Sequence, residues 1–190
     1  MSTIDTFRQK LLRGGHRTNR FKATVTFPTR TLENAAKAQE SFEFLAFSQT
    51  VPTQDMGEIP VKFRGRTVYF AGDPAEPEAW TCTVYNTLSF DIRNACINWR
   101  NNYIAPDKVT GEDLIDTSTV DIELLDKADV TVQKITLYNA WVKTIGQIQS
   151  SWDTENEISS FELTLRYDWL YETPVSSSPA AENTTSTIEG

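Results

Sequence analysis

Between residues 161 and 169 apolar and polar side chains alternate without a break: Phe161, Leu163, Leu165, Tyr167 and Trp169 against Glu162, Thr164, Arg166 and Asp168. A period of two places every apolar side chain on one face of an extended chain, and that face needs a second layer to cover it. Shorter runs repeat the pattern. Phe21, Ala23, Val25 and Phe27 alternate with Lys22, Thr24 and Thr26 and stop at Pro28; Trp80, Cys82 and Val84 lead to Asn86; Val120, Ile122 and Leu124 form a further run. Val130 and Val132 sit at even positions while Ile135, Leu137 and Trp141 sit at odd ones, so the inward side changes near Gln133-Lys134, as a β-bulge requires. Residues 41–48 are apolar on both sides (Phe42, Phe44 and Ala46; Leu45 and Phe47) and read as a strand covered on both faces. The fold class is mainly β, a β-sandwich or barrel subunit.

Helical spacing occurs twice. Ile4, Phe7, Leu11 and Leu12 follow possible caps at Ser2 and Thr3 and end at Gly14-Gly15, predicting a short N-terminal helix. Ser89, as N-cap, with Asp91 in the first turn, precedes Ile92, Ala95, Cys96, Trp99 and Tyr103, which trace one face of a flanking helix. Residues 29–40, 51–57 and 104–118 read as loops, and 172–190, with Pro174, Pro179 and many Ser, Thr and Ala, as a flexible tail behind one domain spanning 1–171. Residues 58–63 and 66–71 flank Arg64-Gly65 as a long hairpin broken by Gly72-Asp73-Pro74. Its arms mix Ile59, Val61 and Phe63 with Lys62, Arg64, Arg66 and Thr67. Such an edge is a liability on a monomer and becomes safe when copies close a sheet between them, so β-pairing between copies follows from the sequence.

Catalytic sets are scarce. His16 is the single histidine and lies beside Arg17 in a basic arm, residues 1–22, where Arg8, Lys10, Arg13, Arg17, Arg20 and Lys22 face only Asp5. No phosphate-cradling glycine motif occurs, and the two cysteines, Cys82 and Cys96, lack C-x-x-C spacing and read as small buried residues. Asp153, Glu155, Asn156 and Glu157 have Ile158 where a calcium loop wants glycine, so they read as an acidic loop tip. Glu112, Asp113 and Asp116 fall in a loop without an aromatic platform, which disfavours glycoside hydrolysis. These absences point to no enzyme, no cofactor and no metal. With 18 Lys and Arg against 26 Asp and Glu the net charge is -8, which argues against a nucleic-acid binder working by counterion release. No stretch approaches the ~20 apolar residues of a bilayer span and the N-terminus lacks an apolar signal core, giving the expectation of cytosolic assembly.

Ile59-Pro60-Val61, Arg66, Ala71-Gly72-Asp73, Trp80, Thr83-Val84 and Asn86, followed by Trp141, Gly146, Trp152-Asp153, Asn156-Glu157-Ile158, Phe161-Glu162 and Thr164-Leu165, resemble the tail tube proteins of T4-like contractile-tailed bacteriophages. The resemblance spans residues 1–171. It implies hexameric rings stacked into a hollow tube, each subunit giving four strands to one continuous barrel with a lumen of ~40 Å. It also implies partners: other copies of the chain, a tail sheath protein, baseplate and tail terminator proteins, a tape measure protein in the lumen, and DNA passing without sequence-specific contact. Localisation would be the virion tail, with no membrane insertion by this chain. On this reading Phe42, Phe44, Glu58, Ile59, Val61, Phe63, Arg66, Val68 and Phe70 contribute to the inter-subunit barrel, and Arg8, Lys10, Arg13, Val51, Gln54, Asp55 and Met56 to ring stacking. The alternatives are a tube of a related contractile injection system, a carbohydrate-binding β-sandwich, whose aromatics would share one exposed face, and a β-sandwich hydrolase.

Overall fold

The computed structural model describes residues 3–11, 15–28, 35–103, 117–153 and 157–175. The expected loop carboxylates Glu112, Asp113 and Asp116, Arg13, Glu155, Asn156 and residues 176–190 lie outside the described residues, as do the side chains of Lys10 and Tyr103.

The alternating runs form two antiparallel sheets that share one strand. The first contains β1 (Phe21–Val25), β6 (Ser118–Leu125), the N-terminal half of β7 (Thr131–Ile145) and β9 (Trp169–Pro174), in that order. The second contains the C-terminal part of β7, then β8 (Ser160–Arg166), β5 (Trp80–Tyr85) and β2 (Ala46–Gln49). β7 passes from one sheet to the other through bulges, the usual way a strand turns a sandwich corner. One register shift lies between Gln133 and Thr131, beside the position expected from the parity change. A second, between Leu137 and Ala140 and with Asn139 at φ 55°, moves the buried side from odd residues (Ile135, Leu137) to even ones (Ala140, Val142). Trp141, expected inside, is therefore on the outward face, 37% exposed.

The inward faces meet in a single core of Val25, Ile122, Ile135, Leu137, Trp80, Val84, Phe161, Leu163 and Leu165, all 2% exposed or less. Two helices complete it. α3 (Asp91–Tyr103) packs on β7 and buries Ile92, Ala95, Cys96 and Trp99, as its periodicity predicts. Its start is not capped by Ser89 as expected: Phe90 intervenes at φ 53°, and the Ser89 hydroxyl donates to the Asp91 carboxylate, which it and Lys37, 3.4 Å away, hold below the usual range.

α2 (Ala35–Leu45) corrects the sequence reading, which expected a loop to residue 40 and a strand over 41–48. Ala35, Ala38 and Phe42 are buried at offsets of three and four, a helical stripe. The two-sided apolar run straddles the end of this helix and the start of β2, and so belongs to neither pattern alone. Phe42 is a core residue at 0% exposure, with its ring edge-on to Phe27 (6.3 Å, 73°), and Phe27 meets Trp99 at 5.8 Å and 71°. This aromatic knot ties the segment following β1 to α2 and α3.

At the C-terminal end, 161–169 is not one strand. β8 ends at Arg166, the Asp168 amide donates to the Tyr138 carbonyl (3.1 Å), and β9 runs beside β7 in the first sheet. Glu172, Thr173 and Pro174, expected in the flexible tail, are ladder residues, and the Val175 amide donates to the Val132 carbonyl.

Candidate assembly surfaces

The hairpin stands apart from this core. β3 (Met56–Phe63) and β4 (Arg66–Pro74) pair only with each other, and among the described residues neither packs extensively on another element. The turn forms at Arg64 and Gly65, both at positive φ (46° and 80°), which suits the twist of a two-residue hairpin. The strands run further than expected: Met56 pairs with Pro74, and Pro74 is tolerated because it ends an exposed edge. Near that base a Cβ on Gly57 would meet the Asp73 carbonyl at 2.8 Å, so only glycine permits the approach.

Register separates what the sequence seems to mix. Ile59 opposes Phe70, Val61 opposes Val68 and Phe63 opposes Arg66, so these residues share one face; Glu58, Pro60, Lys62, Thr67, Tyr69 and Ala71 share the other. The first face is apolar along most of its length and uncovered: Ile59 is 51% exposed, Phe63 63% and Phe70 56%. Of the residues expected in an inter-subunit barrel, the seven on the hairpin thus form one ribbon, Phe44 lies exposed near the end of α2, and Phe42 is spent on the subunit's own core.

A second open feature is the pair of edges of the second sheet. β2 has β5 on one side, the C-terminal part of β7 has β8, and among the described residues neither has a strand on the other. β2 and β5 are also the strands between which the hairpin is inserted in the chain. The outward face of this sheet carries Thr81, Thr83, Thr164, Glu162, Lys143 and Arg166, with Arg166 3.5 Å from Glu76.

The residues expected at ring stacking belong to two segments of the chain. Arg8 is exposed on α1 (Thr3–Lys10), whose Ile4 and Phe7 are 63% and 65% exposed. Val51, Gln54 and Asp55 lie exposed in the segment leading to β3, Met56 is the first residue of that strand, and the Asp55 carbonyl accepts from the Ala75 amide at 2.9 Å. His16 is exposed and bonds locally, its Nε2 3.3 Å from the Arg20 carbonyl oxygen.

One surface was not anticipated. On the outward side of the first sheet Tyr138 stacks on Trp169 (6.0 Å, 16°) and meets Tyr171 edge-on (5.8 Å, 87°), with the Asn139 amide donating to Asp168 beside them. Reading 161–169 as one strand hid this cluster, because Trp169 then pointed into the core. Among the described residues no group of three or more His, Cys, Asp or Glu side chains is placed to hold a metal ion.

No family model matches the chain. Individual proteins do. The chain is 30% identical over 173 residues to the tail tube protein of Serratia phage KSP90, covering 88% of this chain and 95% of that protein. It is 28% identical over 133 residues to tail tube protein gp19 of Enterobacteria phage T4, covering 68% of this chain and 81% of that one. Its fold is similar to a chain in the six-fold symmetrised baseplate of the anti-feeding prophage (TM-score 0.62, 14% identity, covering 85% of this chain and 97% of that one). It is also similar to a chain in the sheath-tube complex of an extracellular contractile injection system (TM-score 0.55, 16% identity, covering 92% and 99%). Strand-built subunit, uncovered hairpin and relatives agree: the chain belongs to the tail tube proteins of contractile-tailed bacteriophages.

Proposed function

We propose that six copies of this chain close a ring through the second sheet and the hairpin, and that rings stack into the hollow inner tube of a contractile tail, a conduit for DNA. The observation that carries this reading is the one-sided apolar face of β3–β4, which among the described residues has no core beneath it. An apolar ribbon of this length left in water invites uncontrolled association, whereas a defined neighbour covers it and the adjoining strand edges together. The outward face of the second sheet, away from its end beside the β7–β8 connection, then lines the lumen. Its threonines and balanced charges offer passing phosphates no cationic row to hold them. The first sheet faces outward, and the Tyr138, Trp169 and Tyr171 cluster is where we place the surrounding tail sheath protein. Tail terminator and baseplate proteins meet the two ends of the tube and a tape measure protein occupies the lumen. The role is structural, in the virion tail, after assembly in the host cytoplasm, and needs neither catalysis nor cofactor.

Size-exclusion chromatography with negative-stain microscopy of the purified chain tests the reading. Rings or tubes with a stain-filled lumen are expected; a persistent monomer of about 21 kDa overturns it.

A further inference from the structure

Residues 147–151 and 157–159, between β7 and β8, and the outward face of the second sheet form a trough of about 520 Å³, whose lining includes Thr83, Gln147, Ser150, Glu157, Ser160 and Glu162. It is a polar socket with two carboxylates and, among the described lining residues, no Lys or Arg. Neither Glu157 nor Glu162 has an ion-pair partner among the described residues. Arg93, which approaches from α3, is engaged elsewhere: its guanidinium donates to the Gly146 carbonyl at 2.8 Å and lies 5.2 Å from the Phe161 ring centroid. At the other end of the molecule's charge distribution is the hairpin tip. Lys62, Arg64 and Arg66 are all exposed there, and among the described residues none has a carboxylate partner; Arg64 rests only on Phe63, 5.3 Å from the ring centroid.

We propose that the basic tip of one copy's hairpin seats in the acidic trough of a second copy. This rests on the tube reading above and adds to it the receiving surface and the charges that choose it. Arms of eight residues or more extend for ~27 Å, far enough to carry the tip beyond its own subunit. No hairpin residue is among those that line the trough, so the tip does not fill the trough of its own copy. Guanidinium groups present several donors in a fixed plane, which suits a socket that combines carboxylates with hydroxyl and amide oxygens. Unpaired positive charge on the tip and negative charge in the trough also set register, since a hairpin shifted along its neighbour loses the pairing.

The test is a charge swap on the full chain, with association followed by sedimentation at low salt and tube length by microscopy. Arg64→Glu with Arg66→Glu should weaken assembly at least about tenfold, and so should Glu157→Lys with Glu162→Lys. Combining all four should recover association to within about threefold of the wild type. Circular dichroism confirms that each variant is folded, since all four positions are exposed. The pairing is overturned if either double variant assembles like the wild type, or if the fourfold variant is no better than the doubles. A wild type that forms no rings or tubes overturns the tube reading and the pairing together, whereas unaffected reversals in a chain that does form tubes overturn the pairing alone.

Discussion

Cys82 and Cys96 show how a residue can be chemically quiet and still leave a measurable trace. Both are free and buried in the core, and burial pushes the Cys96 thiol up to about 12, with Arg93 opposing slightly; Cys82 is raised further by the same cause. A thiol whose folded value lies above its unfolded one contributes stability that is fully present below the unfolded value and is lost as pH rises past it, because only the unfolded chain then releases the proton. Stability measured by urea unfolding should therefore fall above about pH 9, by up to ~1.4 kcal/mol per thiol for each further pH unit. The Cys82→Ala, Cys96→Ala variant should show a shallower decline than the wild type over the same range. Parallel pH profiles would show that the thiols do not titrate on unfolding. The low reactivity that accompanies burial suits a protein whose cysteines pack rather than react.

At the scale of elements, the hairpin and the sandwich are separable because among the described residues they share no extensive packing. Val68 opposes Val61 in the middle of the ribbon and is 46% exposed. Proline there removes a backbone donor and cannot relax the strand interior, yet no core contact depends on it. Val68→Pro should leave a folded monomer with a melting temperature close to the wild type's, and abolish rings. Normal tubes from this variant would remove the hairpin from the assembly surface. α2 makes the opposite case. Its Phe42 joins Phe27 and Trp99 in the core, so this helix cannot be exchanged between copies without opening the subunit.

Over the whole molecule, besides the hairpin face, the N-terminal segment exposes apolar side chains: Phe7 on α1 is 65% exposed and Leu11, just after it, 47%. α1 belongs to the basic arm of an otherwise acidic chain, which suits it to lie on a neighbouring copy. Arg8→Glu, Lys10→Glu and Arg13→Glu together should shorten tubes by several fold while leaving single rings intact, and the wild type should approach the same behaviour as salt screens the contact. Long tubes from this variant at low salt would mean that the arm is merely solvated.

The sequence by itself determined the layer chemistry: strands with one buried face, the α3 stripe and the Arg64-Gly65 turn. These depend on periodicity and turn chemistry, which act over a few residues and are written locally. Tertiary structure alone decided which sheet each strand joins. The bulge at Asn139 turns Trp141 outward, the break after Arg166 carries Trp169 to the first sheet, and the apolar run at 41–48 is split between a helix end and a strand start. It also decided that Ile59, Val61, Phe63, Val68 and Phe70 face the same way, since that depends on the register between two strands and not on either one. A local pattern states that a face must be covered; the cover itself comes from residues far along the chain or from another copy, and only the folded chain brings them to the place where they are needed.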